Sequence, residues 1–273
     1  MAKRHCLFEW SKAGWKVNFI RLHMDPYWSN QPGVSTTGEN DISAFDFTRF
    51  KLYLDKVFIP MAEYAVSKGL YVVFRPPGVC PHEIAVGDAY QQYLIKVWTY
   101  VAQHSKLKNH PNMMFELANE PVNIQGPDGD FGADTQGHYN KLKEYFQAIV
   151  DAMRAEGCDN ILWVPGLGYQ GLYKGLAVNP IEGQNIGYAV HLYPGWLGSD
   201  GENGDGGYSQ GGYEPFQRGW IENVVHVAAF APIIITEMDW APSKYNASWG
   251  KAQTGTLYGP GFGANMKHIV DQT

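Results

Sequence analysis

Only three cysteines occur in the 273 residues, Cys6, Cys80 and Cys158. They are widely spaced and form no CxxC pair, so the chain encodes neither a disulfide framework nor a zinc ribbon. The nine histidines include no HExxH, which removes the commonest zinc-hydrolase signature. No apolar run approaches ~18 residues, so no membrane-spanning helix is expected. Positive charge is also scarce. Lys and Arg number 21 against 27 Asp and Glu, a net charge of -6, whereas nucleic acid or an anionic membrane surface needs a basic face. No GxGxxG follows the first apolar strand and no GxxxxGK[ST] occurs, which disfavours an open nucleotide-binding sheet. The opening MAKRHCLFEW has neither the apolar core nor the AxA-like site of a secretory signal.

What is present points to a packed domain. Apolar residues make up 45% of the chain and charged residues 18%, which excludes a disordered chain. Aromatic residues are plentiful, with 9 Trp, 17 Tyr and 13 Phe. Such rings fill cores, and they also suit surfaces that grip flat ligand faces. The length fits one large domain or two small ones, and no linker or shift in composition divides it.

Short apolar runs alternate with longer amphipathic stretches. The runs are Val17–Leu22, Leu70–Phe74, Asn112–Leu117, Asn160–Val164, Ile186–Val190 and Pro232–Thr236. They are β-rich and nearly continuous, as parallel strands buried on both faces should be. Helices are expected over Phe45–Lys68, Tyr90–Ser105 and Gly137–Glu156, with a weaker one over Tyr213–Ala229 and a short one over Lys3–Lys12. Gly69 and Gly157 stand where helices should end. A β-then-α alternation throughout means a parallel sheet, closed as a barrel or open and doubly wound. The Gly-rich stretch Gly198–Gly212 reads as a loop.

In parallel barrels the chemistry sits at the C-terminal ends of strands. Those ends carry Arg21, Arg75, Asn119-Glu120-Pro121, Tyr169-Gln170, His191-Leu192-Tyr193 and Glu237-Met238-Asp239-Trp240. Taken singly, each has a bland explanation: a solvated or ion-paired glutamate, a structural histidine, a stiff turn at Arg75-Pro76-Pro77-Gly78. Taken together they do not. Glu120 and Glu237 each close an apolar strand, far apart along the chain. One protonated and one ionised carboxyl group facing each other are the equipment for glycosidic bond hydrolysis. Tyr27, Trp28, Tyr169, Trp196, Trp240 and Trp249 cluster near the same strand ends. Their rings suit the C–H face of a sugar, and packing in the core is the alternative for each.

The Asn119-Glu120-Pro121 triplet, the His191-x-Tyr193 pair, Glu237 closing its strand and Arg21 in NFIRLHMD resemble glycoside hydrolase family 5, the cellulase family. FRPPGVCP, FELANEPV, GYAVHLYPGW and TEMDWAPSKYNASWGK extend the resemblance over nearly all of the chain. It implies an α/β fold, a (β/α)8 TIM barrel, with residues 1–273 as a single catalytic domain. It also implies retaining chemistry without a cofactor or metal. Glu120 would be the general acid/base and Glu237 the nucleophile. Asn119 would bond the sugar 2-hydroxyl, Tyr193 would bond the nucleophile, His191 would lie beside the acid/base, and Arg21 would orient Glu237.

Two departures set further expectations. Only six strands are legible, so the first and last strands of the barrel are expected to be lacking in this chain, with an oligomer covering any open edge. The family places a histidine near the end of its third strand, where this chain has Arg75-Pro76-Pro77; His82 is the nearest substitute. The expected substrate is a polysaccharide, cellulose or soluble β-glucan cleaved by an endo-acting β-1,4-glucanase. Mannan, xyloglucan or xylan is the alternative within the class, and a non-catalytic carbohydrate-binding barrel the alternative outside it. No nucleic acid or membrane partner is expected. The acidic loop Ser199–Gly207 lacks the EF-hand pattern, and the sequon Asn246-Ala247-Ser248 matters only in a eukaryotic secretory host. Polysaccharides do not enter cells, so an exported protein is expected, with its signal absent from this chain.

Overall fold

The computed structural model describes residues 16–25, 45–193, 196–199, 213–238 and 262–273. The expected helix over Lys3–Lys12, most of the Gly198–Gly212 loop, and Tyr27, Trp28, Trp240 and Trp249 lie outside the described residues. So do the segments in which additional strands before Phe19 or shortly after Met238 would fall. The chain divides into two compact units. One gathers the described residues of Met1–Asn119, Glu144–Val164 and Glu182–Ile186; the other gathers those of Glu120–Lys143, Pro165–Ile181 and Gly187–Thr273.

The first unit is built on parallel strands β1 (Phe19–His23), β2 (Tyr71–Arg75), β3 (Met113–Glu116) and β4 (Leu162–Pro165). β2 lies between β1 and β3, with Phe19 opposite Tyr71 and Val72 opposite Met113. β3 pairs with β4 through Phe115 and Leu162. All of β3 and β4, and all of β2 after Tyr71, is buried. That double-sided burial is why these strands read as unbroken apolar runs rather than alternating ones. Helices cross back between strands, as parallel pairing demands. Asp46 opens the first by accepting the N–H groups of Thr48 and Arg49 at 2.8 and 3.0 Å. Asp88 opens the helix Ala89–Gln103 by accepting from Gln91 at 2.6 Å. Gly69 and Gly157 follow their helices at φ +81° and +70°, the left-handed stop that glycine adopts without strain. The expected helix Phe45–Lys68 is real but split. Phe47–Tyr53 and Ile59–Val66 are joined by a π-helical turn at Leu54–Phe58.

Rings fill this core. Phe115 packs against Phe74 at 5.9 Å and against Trp98 at 5.6 Å between centroids. The Trp98 indole also donates to the carbonyl of Leu117 at 2.8 Å, fixing the end of β3. Asn160 is the polar hub below the strands. It is buried, accepts the N–H of Asn109 at 2.6 Å, and donates to the carbonyls of Leu107, His110 and Met113 at 3.1, 3.2 and 2.9 Å. β4 begins at Leu162, after Asn160 rather than at it. An Asn160→Ala variant strands these buried groups, so it should lose about 2–3 kcal/mol of stability. Urea unfolding should show a lower midpoint with an unchanged slope.

The second unit holds the parallel pair β5 (Ile186–Leu192) and β6 (Ile233–Met238). Between them run the helix Tyr213–Trp220, a π-helical turn Ile221–Val225 and the short helix His226–Ala228, where one weak helix was expected. Tyr173 and Tyr188 pack edge to face at 6.0 Å. A helix that the sequence reading missed, Phe262–Gln272, ends the chain, and Thr273 accepts the Trp220 indole N–H at 2.8 Å. Among the described residues no helix is long and apolar enough to cross a membrane. Cys80 and Cys158 are free and buried, and burial pushes both thiols up, away from the thiolate form.

Candidate active site

Several candidate residues come together in the second unit. A strand alternates its side chains, so His191 and Tyr193 fall on one face of the β5 end. β6 reaches that face through a bulge. Ile235 stands opposite Val190 but Glu237 stands opposite His191, which leaves Thr236 unmatched. With regular pairing Thr236 would face His191, so the extra residue is what aims Glu237 at it.

Glu120 arrives differently. It follows the chain past β3 and takes φ +59°, a left-handed backbone that costs a non-glycine residue about 1–3 kcal/mol and persists only where its surroundings enforce it. Its N–H donates to Oε1 of the fully buried Gln170 at 2.8 Å.

The resulting distances are short. His191 Nδ1 is 2.9 Å from Glu120 Oε1 and 3.5 Å from Glu237 Oε2. The Tyr193 hydroxyl donates to Glu237 Oε2 at 2.7 Å. His191 is fully buried, whereas both glutamates keep 22% of their side chains exposed, enough for an outside molecule to reach them. One donor atom each from Glu120, His191 and Glu237 lies within 4.8 Å of the others. This is also the set through which a divalent cation could occupy the site. Beside it, Trp196 stands 5.6 Å from Tyr169 and 5.8 Å from Tyr193, ring centre to ring centre. All three rings are partly exposed.

Arg21 and Asn119 belong to the first unit. Arg21 Nε meets Glu116 Oε2 at 2.5 Å, and its Nη2 donates to Asn119 Oδ1 at 2.7 Å. Glu116 is fully buried, and the Arg21 guanidinium offsets part of the cost of holding its charge there. Asn119 is held as well through its carbonyl, which accepts the Cys80 N–H at 2.7 Å. Arg75 works on its own turn. Its Nη1 donates to the carbonyls of Pro76 at 3.1 Å and Gly78 at 2.5 Å, and the Gly78 N–H donates to Asp25 at 2.6 Å. Gly78 takes φ +79° there, a conformation suited to glycine. The stiff-turn reading of Arg75-Pro76-Pro77-Gly78 is the one this geometry gives. His82 is exposed.

His23 escaped the sequence reading, and Gln170 entered it only within the Tyr169-Gln170 strand end, with no role of its own. His23 lies 3.3 Å from Arg21 Nη1 and 3.1 Å from Arg75 Nη2. The signal was its position two residues after Arg21, on the same face of a strand. Gln170 had no signal beyond standing next to Tyr169.

Comparison with known proteins adds the following. The family described as Cellulase (glycosyl hydrolase family 5) matches residues 8–253. An endoglucanase of Halalkalibacter akibai is 27% identical over 243 residues, which cover 86% of this chain and 26% of that protein. The first curated relatives are matched over only 15–26% of their own length. The β-glucanase SdGluc5_26A of Saccharophagus degradans superposes with a TM-score of 0.65 at 20% identity, covering 97% of this chain and 70% of that one. The same enzyme has been solved in complex with cellotetraose. This likeness shows the fold, the α/β barrel of the cellulases.

Proposed function

The chain belongs to glycosyl hydrolase family 5, the cellulase family, and on that premise we propose that it is a retaining, endo-acting β-1,4-glucanase. Its substrate class is cellulose or soluble β-glucan. The observation that carries the reading is the separation of the two carboxylates. Oxygens of Glu120 and Glu237 lie within 4.8 Å. Retaining glycosidases hold their carboxyl groups about 5–5.5 Å apart, whereas inverting ones need about 6.5–9.5 Å to admit a water between carboxylate and sugar.

Glu237 attacks the anomeric carbon while Glu120 gives its proton to the departing glycosidic oxygen. The C–O bond to the leaving sugar breaks as the glycosyl–Glu237 ester forms. A water then gives a proton back to Glu120, its oxygen bonds the anomeric carbon, and Glu237 leaves as a carboxylate. The hydroxyl of Tyr193, 2.7 Å from Glu237 Oε2, supports the ionised form and leaves the other oxygen for attack. His191, within reach of both carboxylates, keeps their spacing fixed. Asn119, next to Glu120 in sequence, would bond the sugar 2-hydroxyl. Tyr169 and Trp196 would stack on sugar rings, a role that cellotetraose binding by the Saccharophagus degradans enzyme makes reasonable for a glucan. Such a polymer stays outside cells, so the working protein would be an exported one.

The test is reducing-sugar release from carboxymethylcellulose, barley β-glucan, mannan and xylan, followed by NMR of the newly freed anomeric centre. Cleavage of a β-1,4-glucan with the β-anomer appearing first is expected. The α-anomer first would overturn retention. Preferential cleavage of mannan or xylan would overturn the glucan assignment. Binding of all four by a folded protein without cleavage would make it a carbohydrate-binding barrel.

A further inference from the structure

The left-handed backbone of Glu120 has to be enforced by something, and the described residues show what does so. Gly168, Tyr169 and Gln170 form a left-handed turn with φ values of +57°, +56° and +62°. Only the first is a glycine, so this turn too is held rather than relaxed. Its backbone reaches back to the segment after Glu120. The Gly168 N–H donates to the Val122 carbonyl and the Tyr169 N–H to the Pro121 carbonyl, both at 3.0 Å. From the end of the turn the buried Gln170 side chain reaches two ways. Its Oε1 accepts the Glu120 N–H at 2.8 Å, and its Nε2 donates to the Ala189 carbonyl at 2.9 Å. Ala189 lies on β5, two residues before His191.

We infer that Gln170 is a positioning residue for the acid/base: its side-chain amide ties the Glu120 backbone to β5 and so fixes where the Glu120 carboxyl meets the glycosidic oxygen. The inference rests on the hydrolase reading above. An amide is the group this job needs. One end must accept from an N–H and the other must donate to a C=O, both inside the protein, and glutamine does both without carrying charge. A shorter or apolar side chain would take the acceptor away from the part-buried Glu120 N–H and cut its link to β5, while the Ala189 carbonyl would keep the Tyr173 hydroxyl. Glu120 would then be free to relax out of its left-handed conformation, moving its carboxyl while leaving Glu237, on a different strand, undisturbed.

That asymmetry makes the role testable. kcat/KM covers the steps up to the glycosyl-enzyme. With a β-glucan oligosaccharide the departing alkoxide needs a proton from Glu120. With 2,4-dinitrophenyl β-cellobioside the phenolate leaves without one. Three variants serve. Gln170→Asn tolerates the left-handed backbone but is a methylene too short to span both partners. Gln170→Met has the length and no hydrogen bonds. Gln170→Glu keeps the acceptor for Glu120. Circular dichroism confirms folding, and if the Met variant fails to fold, the Asn variant carries the comparison. For Gln170→Asn and Gln170→Met the expected result is a fall of about 10–100-fold in kcat/KM on cellotetraose, against less than about 3-fold on the dinitrophenyl substrate. Gln170→Glu, which as a carboxylate has no donor for the Ala189 carbonyl, should recover only part of the difference. Equal losses on both substrates, or no loss in the folded Asn or Met variant, would overturn the positioning role while the hydrolase reading stands. If wild type cleaves neither substrate, the glucanase reading itself fails and this role falls with it.

Discussion

Replacing Glu237 by glutamine is expected to lower kcat on a β-1,4-glucan by about 10⁵-fold, about 7 kcal/mol of transition-state stabilisation. The amide has the shape of the carboxylate but not its charge, and it cannot form the ester on which the double displacement depends. Little else should change. The amide oxygen can still accept the Tyr193 hydroxyl, now 2.7 Å from Glu237 Oε2. His191 keeps Glu120 at 2.9 Å. Glu237 is also partly exposed, so its neutralisation leaves no buried charge unpaired. The variant should therefore melt within a few degrees of wild type and still bind β-glucan. Reducing-sugar release at equal folded concentration, checked by circular dichroism, reads the effect. A folded variant retaining a tenth of the wild-type rate would mean that another group is the nucleophile. Tyr193→Phe is the useful contrast. It removes one hydrogen bond to a charged group and leaves the nucleophile in place, so its loss should stop near 10–100-fold.

The central strands β2 to β5 were legible because burial on both faces leaves little choice of residue. Met113–Glu116 and Leu162–Pro165 are wholly buried, and their sequences are apolar throughout apart from the ion-paired Glu116. The two glutamates were legible because each follows a run of apolar residues, where a charge has few structural uses. The means by which they meet was not legible. The bulge that leaves Thr236 unmatched has no glycine or proline to mark it. It exists because β5 and β6 pair, and pairing is a long-range event. The left-handed turn at Tyr169 and Gln170 likewise carries residues that do not prefer φ > 0, so Gln170 looked like a mere neighbour of Tyr169. The π-helical turns at Leu54–Phe58 and Ile221–Val225 interrupt stretches whose residues read as one helix. Aromatic residues were the most ambiguous. Trp98 and Trp220 are buried while Trp196 is partly exposed, and side-chain type alone does not separate a core ring from a sugar platform.

Removing the acid/base tests the division of labour between the two glutamates more sharply than activity alone. Glu120→Ala should cut kcat/KM on cellotetraose by about 10²–10⁴-fold, the worth of general acid catalysis. On 2,4-dinitrophenyl β-cellobioside the first step needs no proton donor, so the glycosyl-enzyme should still form quickly and release one equivalent of phenolate in a burst. Its hydrolysis should then be slow, because no base is left to take a proton from water. Azide needs no base. It should enter the space vacated by the Glu120 carboxyl, attack the anomeric carbon and restore turnover. Stereochemistry then identifies the nucleophile. Glu237, attacking a β-glycoside from the opposite face, forms an α-linked ester; azide displacing that ester gives the β-glycosyl azide. If Glu120 were the nucleophile instead, its alanine variant would form no ester, and azide acting in its place on the β-glycoside would give the α-glycosyl azide. The fold should tolerate the change. Alanine at φ +59° bears no more strain than the glutamate that already sits there, and His191 keeps Glu237 at 3.5 Å. The sign of one anomeric centre, read by NMR, therefore decides which carboxylate attacks and which one handles the proton.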